Sequence, residues 1–334
     1  MLTLGIETSC DETSAAVVDS GRHTLSNVIL SQIDHVRFGG VVPEVASRAH
    51  LRTIVPVYRE ALAQAGIGLD RIELIAATMG PGLVGPLLVG LTFAKGLAFA
   101  TGTPFVAVNH IEGHIAANML SHQDLERHHL ALIVSGGHTL LVEIESFGKY
   151  HVLGRTKDDA VGEAFDKVAK LMGLGYPGGA RLDRLAASGD PKYHRFPRPL
   201  KGDPGFDFSY SGLKTAVALH LARLDDEEID RHRADLAAAF QEAALEPLVE
   251  RTVRAVRERG LKHVTLSGGV AANSRLRTLL DRALQRAGGK LFAPPLELCT
   301  DNAAMIAAAG LATFEARGPS ELTANATPYL DLVD

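Results

Sequence analysis

Apolar and polar positions fall into three short blocks along the chain, and the blocks share a plan. Residues 2–19, LTLGIETSCDETSAAVVD, read as strand, small polar loop, strand. The loop 7–13 is too polar to belong to a core. Residues 130–145, LALIVSGGHTLLVEIE, repeat the pattern around the turn Ser135-Gly136-Gly137-His138-Thr139. Residues 263–280, HVTLSGGVAANSRLRTLL, start as a strand and run through Ser267-Gly268-Gly269 into a helix that opens near Asn273. Amphipathic helical stretches fill the intervals at 46–65, 159–172, 230–259 and 302–316. Two strand-hairpin starts separated by helices predict two similar α/β lobes with a cleft between them.

Composition narrows the class. At 334 residues the chain has room for two domains or one large α/β unit. A hydrophobic content of 46% with 22% charged residues is ordinary for a globular protein. The cysteines Cys10 and Cys299 do not suggest a disulfide framework, which fits a reducing, cytoplasmic setting. Met1 leads straight into a strand-like segment, so no secretory signal is expected. The apolar run 86–100 is interrupted by Gly90, Lys95 and Gly96 and is not expected to span a membrane. A net charge of −5 argues against wrapping nucleic acid by bulk charge and leaves room for a local basic patch.

The sharpest chemical signal is His110-Ile111-Glu112-Gly113-His114. Residues 110–120 have few β-branched positions and read as a helix, weakened by Gly113. Two imidazoles at i and i+4 then leave one face, a turn apart, in the spacing a divalent metal requires. A zinc peptidase would need its glutamate directly after the first histidine. Here it is one place later, at Glu112, which turns it roughly 200° from His110. A two-histidine metal site stays open, as does a pair of satisfied, partly buried histidines; peptidase chemistry does not. Asp301, taken alone, reads as the N-cap of the helix 302–316.

The duplicated plan resembles the actin/Hsp70/sugar-kinase (ASKHA, RNase H-like) α/β fold, whose hairpin loops and glycine turns grip a nucleotide between lobes. Small residues let backbone N–H groups approach a phosphate, and a helix N-terminus adds favourable potential. The motifs GIETSCDET (5–13), PEVASRAH (43–50), GPGLVGPLLVG (80–90), NHIEGH (109–114), SGGHT (135–139), GEAFDKVAKLMGLGYPGG (162–179), FSYSGLKT (208–215), SGGVAANSRLR (267–277) and CTDNAAMIA (299–307) run nearly end to end. Together they resemble the bacterial TsaD/Gcp family of tRNA threonylcarbamoyladenosine-forming enzymes.

That resemblance implies an acyltransferase. It would move the threonylcarbamoyl group from threonylcarbamoyl-AMP to the exocyclic amine of the adenosine 3′ of the anticodon, in tRNAs that read codons beginning with A. It implies one divalent metal per chain, Fe(II) favoured and Zn(II) the alternative, held by His110, His114 and Asp301. Relatives outside bacteria carry a tyrosine ligand where this chain has Ile133, which cannot ligate. For substrate it implies Ile133, Val134, Ser135, Gly136 and Gly137 along the glycine turn, Asp166 and Asp183 at the ribose, and Gly179 and Asn273 near the base or phosphate. Asp11, with Glu12 second, is the expected base, because adenine's amine is a weak nucleophile that must lose a proton as the new bond forms. The lobes are expected at 1–128 with about 305–334, carrying the histidine helix, and at 129–304, carrying a family-specific insertion. The basic stretch 191–201, PKYHRFPRPLK, is a candidate RNA contact. Expected partners are tRNA, a TsaB-like paralogue docking near the apolar 80–96 segment and a TsaE-like ATPase, with a homodimer through the same face as the alternative. A small-metabolite kinase of the same superfamily and a non-catalytic scaffold paralogue are the competing readings; neither explains the metal triad.

Overall fold

The computed structural model describes residues 1–20, 23–32, 35 and 40–333; Asp334, the end of the expected 305–334 segment, lies outside the described residues. The chain groups into two compact units, Met1–Leu125 with Ser146–Tyr150 and Pro294–Asp334, and Glu126–Glu145 with His151–Ala293.

The first unit is built on a five-stranded sheet of β1 (Leu2–Glu7), β2 (Glu12–Asp19), β3 (His23–Ser31), β4 (Leu74–Gly80) and β5 (Phe105–Asn109), in the order β3-β2-β1-β4-β5. β1 pairs antiparallel with β2, Leu2 opposite Asp19, and parallel with β4. Helices α1 (Pro43–Ala65), α2 (Val84–Thr101) and α3 (His110–Ser121) follow β3, β4 and β5. The apolar run 86–100 forms one unbroken helix, α2, which among the described residues is long and apolar enough to cross a membrane by length and composition. Its Leu91, Ala94 and Ala98 recur at helical spacing and pack into the core with Ile54 and Val57 of α1. Gly90, read as an interruption, is where α2 approaches Thr8 too closely for a Cβ.

The second unit repeats the topology. Its strands are β6 (His129–Val134), β7 (Thr139–Ser146), β8 (Lys149–Arg155), β9 (His263–Ser267) and β10 (Lys290–Phe292). Their order, β10-β9-β6-β7-β8, is that of the first sheet read backwards. β6 again pairs antiparallel with its hairpin partner β7 and parallel with β9. The helices are α4 (Val161–Leu171), α5 (Gly179–Ala186), α6 (Ser211–Leu221), α7 (Asp226–Arg259) and α8 (Ser274–Arg286). A capping box at Asp225 and Glu228 starts the 34-residue α7.

Helix α9 (Ala303–Arg317) returns to the first unit and lies on its sheet. Its small residues set the distance. A Cβ at Gly5 of β1 would fall on the Ala303 carbonyl oxygen, and one at Gly310 would fall on Ala76 of β4. A Cβ at Gly113 of α3 would sit 2.7 Å from Ile306 Cδ1. α3 and α9 are thereby drawn together, and with them the histidines and the chain just before α9.

Candidate metal centre

α3 begins where β5 ends, and Asn109 makes the junction. Its side-chain oxygen accepts from the Ile111 N–H at 2.8 Å, an N-cap, while its amide donates to the Asp331 carbonyl at 2.9 Å. The next residue is His110, and His114 follows one turn later with its ring 4.7 Å from that of His110. Asp301 Oδ1 lies 3.5 Å from His110 Nε2 and 3.4 Å from His114 Nε2. One donor atom from each of the three residues falls within 4.8 Å of the other two, a group able to hold a metal ion.

Asp301 is not the helix cap. Asn302 takes that role, accepting from the Met305 N–H at 3.0 Å and donating to the Thr300 carbonyl at 2.8 Å. Ser14 accepts from the Ala303 N–H. The helix end is satisfied without Asp301, whose carboxylate is turned to the histidines.

The donors fit a metal. His114 is fully buried, yet among the described residues neither of its ring nitrogens has a hydrogen-bond partner, a costly state for an imidazole with no ligand. His110 is oriented from behind, its Nδ1–H donating to Glu7 Oε2 at 3.0 Å with Ser9 Oγ at 3.2 Å. That turns Nε2 toward Asp301 and His114, the usual effect of a carboxylate behind a metal-binding histidine. Burial alone would lower the His110 pKa, but Asp301 and Glu7 reverse this and push it up to about 9. The carboxylates favour positive charge here, and a divalent cation supplies it. Glu112 plays no part in the triad. It is buried and accepts from the Tyr150 hydroxyl at 3.0 Å.

Glu7 is the residue the sequence reading missed, and it corrects the expectation for the 7–13 loop. Glu7, Thr8, Ser9 and Thr13 are buried. Their polar groups are paired locally: Thr78 Oγ1 donates to Glu7 Oε2 at 2.7 Å, the Ser9 N–H donates to Glu7, and Thr8 Oγ1 donates to the Pro86 carbonyl at 2.8 Å. His50 of α1 spans the loop, with Nε2 3.0 Å from the Cys10 carbonyl and Nδ1 2.8 Å from Thr13 Oγ1. Asp11 and Glu12 stay partly exposed at its end. Burial, then Asp301 and then Asp11, pushes the Glu12 carboxyl well above the usual range. Both expected acids therefore lie in the unit that holds the triad.

The remaining expected residues are in the second unit. Ile133 and Val134 are buried in β6. Ser135 closes the turn, its N–H donating to the His138 carbonyl at 2.8 Å and its Oγ accepting from the His138 N–H at 3.0 Å. Gly136 and Gly137 are exposed with open space around them. The start of α4 abuts this turn, since a Cβ at Gly162 would meet the Ser135 carbonyl at 2.5 Å. Asp166 Oδ1 accepts from the N–H groups of Gly178 and Gly179 at 2.8 and 3.0 Å. Asp183 accepts from the Ser274 N–H and Oγ, and Asn273 caps α8 while donating to Gln241 at 2.9 Å. Asp183, Gln241, Ser274 and Arg275 line a cavity of about 260 Å³, with Arg275 paired to Glu242 at 3.0 Å. Gln241 and Arg275 carried no sequence signal, because α7 is long and α8 has an ordinary amphipathic pattern.

The family model described as TsaD, tRNA N6-adenosine threonylcarbamoyltransferase, matches residues 23–308. The chain belongs to the tRNA N6-adenosine threonylcarbamoyltransferase family. A relative of that name from Symbiobacterium thermophilum is 54% identical over 332 residues, 99% of this chain and 97% of the relative. One from Caldicellulosiruptor saccharolyticus is 49% identical over 334 residues, 100% of this chain and 99% of the relative. Among solved structures, the chain is similar to T. kodakarensis HypF, with a TM-score of 0.62 at 16% identity over 95% of this chain and 48% of the other. It is also similar to component A of Acidaminococcus fermentans (R)-2-hydroxyglutaryl-CoA dehydratase, with a TM-score of 0.57 at 14% identity over 95% and 98%. These likenesses place the α/β fold with the actin/Hsp70/sugar-kinase type. The family is one of transferases, and this member carries a His110, His114 and Asp301 group able to hold a metal ion.

Proposed function

We propose that this chain transfers the threonylcarbamoyl group of threonylcarbamoyl-AMP to the N6 amine of the adenosine 3′ of the anticodon, in tRNAs reading codons that begin with A. Near-50% identity over the whole chain to relatives named for this activity carries the reading. A cytoplasmic setting follows from the substrate.

His110, His114 and Asp301 would hold the divalent metal, with Glu7 and Ser9 orienting His110. Two imidazoles and one carboxylate suit Fe(II) first and Zn(II) second, with coordination positions left open. When bound, the metal supplies Lewis-acid polarisation of the carbamoyl carbonyl. The chain's own groups do the rest. The backbone N–H groups of Gly136 and Gly137 and the start of α4 suit the donor's phosphate, and Ile133 and Val134 form the floor of that turn. Asp166 and Asp183 suit the ribose, and Gly179 and Asn273 suit the base. Asp11 takes the proton from N6 as the N–C bond forms and AMP departs. Burial and the neighbouring carboxylates make Glu12 hold its proton more tightly than an ordinary carboxylate, which puts it second as the base.

Partners complete the reading. α1 and α2 pack together and leave Leu51 and Phe99 65% and 80% exposed. That apolar helical face suits a TsaB-like paralogue or a second copy of this chain, with a TsaE-like ATPase acting on the assembly. The test is nucleoside mass spectrometry of an unmodified tRNA after incubation with the chain, the donor and the partner proteins. Threonylcarbamoyladenosine in the digest supports the transferase. ATP-dependent phosphorylation of a small metabolite, with unchanged tRNA, replaces it with a kinase.

A further inference from the structure

The basic stretch 191–201 lies in the second unit, and several of its groups are tied down. Phe196 is buried beneath it and packs on the ring of His194 at 4.5 Å. Arg251 Nη2 donates to the Leu200 carbonyl at 2.8 Å, and Arg198 Nη1 donates to the Phe196 carbonyl at 2.7 Å. Arg195, Phe196, Pro197, Arg198, Lys201 and Glu246 line a cavity of about 360 Å³.

The charge at this cavity does not balance. Arg198 Nε pairs with Glu246 at 2.7 Å. Arg195 and Lys201 are exposed and have no carboxylate partner among the described residues. Three cations around one cavity with a single acid repel one another, and an anion relieves that repulsion. The surplus is local, since the chain as a whole carries −5. Beside it, Lys192 and Tyr193 are exposed, and Tyr193 stacks on His232 with ring centroids 4.6 Å apart and planes 20° apart. A row of cations next to a braced aromatic ring fits a polyanion whose bases can stack, better than a lone phosphate.

We propose that Arg195 and Lys201, with Arg198 between them, form a phosphate-binding site for the backbone of the tRNA substrate, with Tyr193 as a neighbouring stacking surface. This rests on the tRNA reading of the function. Arg198 is tied to Glu246 and sets the shape of the site, whereas Arg195 and Lys201 can be removed without loss of a structural bond.

The experiment measures binding of an unmodified tRNA to the full chain with its partner proteins, by fluorescence anisotropy over a range of salt concentrations. Wild type is compared with R195A/K201A. The double variant is expected to bind about tenfold more weakly and to show a log–log salt slope shallower by about 1.4–1.8, since each lost phosphate contact removes about 0.7–0.9 from the slope. The KM for tRNA is expected to rise in parallel, while the KM for threonylcarbamoyl-AMP holds. Tyr193→Ala is expected to weaken binding with the salt slope unchanged. An unchanged affinity and slope in R195A/K201A overturns the site. Inorganic phosphate displacing tRNA beyond the effect of equal ionic strength, with no slope change in the variant, overturns it in favour of a free-phosphate pocket. A wild-type assembly that binds tRNA in this way and transfers nothing to it sinks the transferase reading while the site stands; one that does not bind tRNA sinks both.

Discussion

The chemistry rests on a few side chains whose polar groups are settled by neighbours. Glu7 is the clearest case: it receives Thr78, Ser9 and His110, and so decides which imidazole nitrogen faces the triad. Glu7→Gln is expected to weaken metal affinity about 10–100-fold with the three ligands intact, as measured by competition with a chromogenic chelator. An unchanged affinity would remove Glu7 from the site. Asp11→Asn is expected to keep threonylcarbamoyl-AMP binding and to lower transfer by about 10²–10⁴, the range for loss of a positioned base. Full transfer by that variant would leave the base unassigned. The i, i+4 histidines were legible because helical spacing is written in sequence. Glu7 was not, because a strand-end glutamate 103 positions before its histidine is joined to it only by the pairing of β1 with β4 and of β4 with β5. Asp301 was legible as a candidate, yet taken alone it reads as the cap of α9, a role that Asn302, one residue on, fills by taking the Met305 N–H.

The elements hold these residues in place through close backbone approach and capping. α9 reaches β1 and β4 only because Gly5 and Gly310 lack a Cβ. Gly5→Ala is expected to cost at least about 1–3 kcal/mol, seen as a fall in urea midpoint at constant m-value, because the backbone carbonyl it meets cannot rotate away. In the second unit, Asp158 gathers the start of α6, accepting from Ser209, from Ser211 and from the Tyr210 N–H at 2.7 Å. Burial works against its charge, but these hydrogen bonds prevail and hold the carboxyl below its usual range. A depressed folded pKa gives stability that is present above about 3.9, the unfolded aspartate value, and lost as pH falls through the folded value. Asp158→Asn is therefore expected to be less stable than wild type at neutral pH, with the gap closing below about pH 4. A gap that is constant with pH would contradict that assignment. Periodicity located most helices to within a few residues, because amphipathic spacing survives context. It failed where burial and polarity disagree: the 7–13 loop is polar yet largely buried because β4, α1 and α2 supply its partners.

At the scale of the whole chain, duplication is the organising fact. Both sheets set an antiparallel hairpin beside two parallel strands, and each hairpin carries a polar turn, 7–13 in one unit and the Ser135-Gly136-Gly137 turn in the other. The repeat was legible because strand–turn–strand patterns are local. The sheet order was not, since crossover strands β4 and β9 join their sheets from far along the chain. The two turns have diverged in chemistry, one acidic and next to the histidines, the other glycine-rich and next to a helix start. The most direct test is metal-dependent transfer. The full chain with its partner proteins is stripped by chelator, reloaded with Fe(II) or Zn(II) and given threonylcarbamoyl-AMP and unmodified tRNA, beside His110→Ala treated identically. Threonylcarbamoyladenosine, quantified by nucleoside mass spectrometry, is expected in the reloaded wild type and lost from both the stripped wild type and the variant. Equal product from His110→Ala, or product untouched by stripping, would contradict the metal triad, and no product in any arm would contradict the transferase itself.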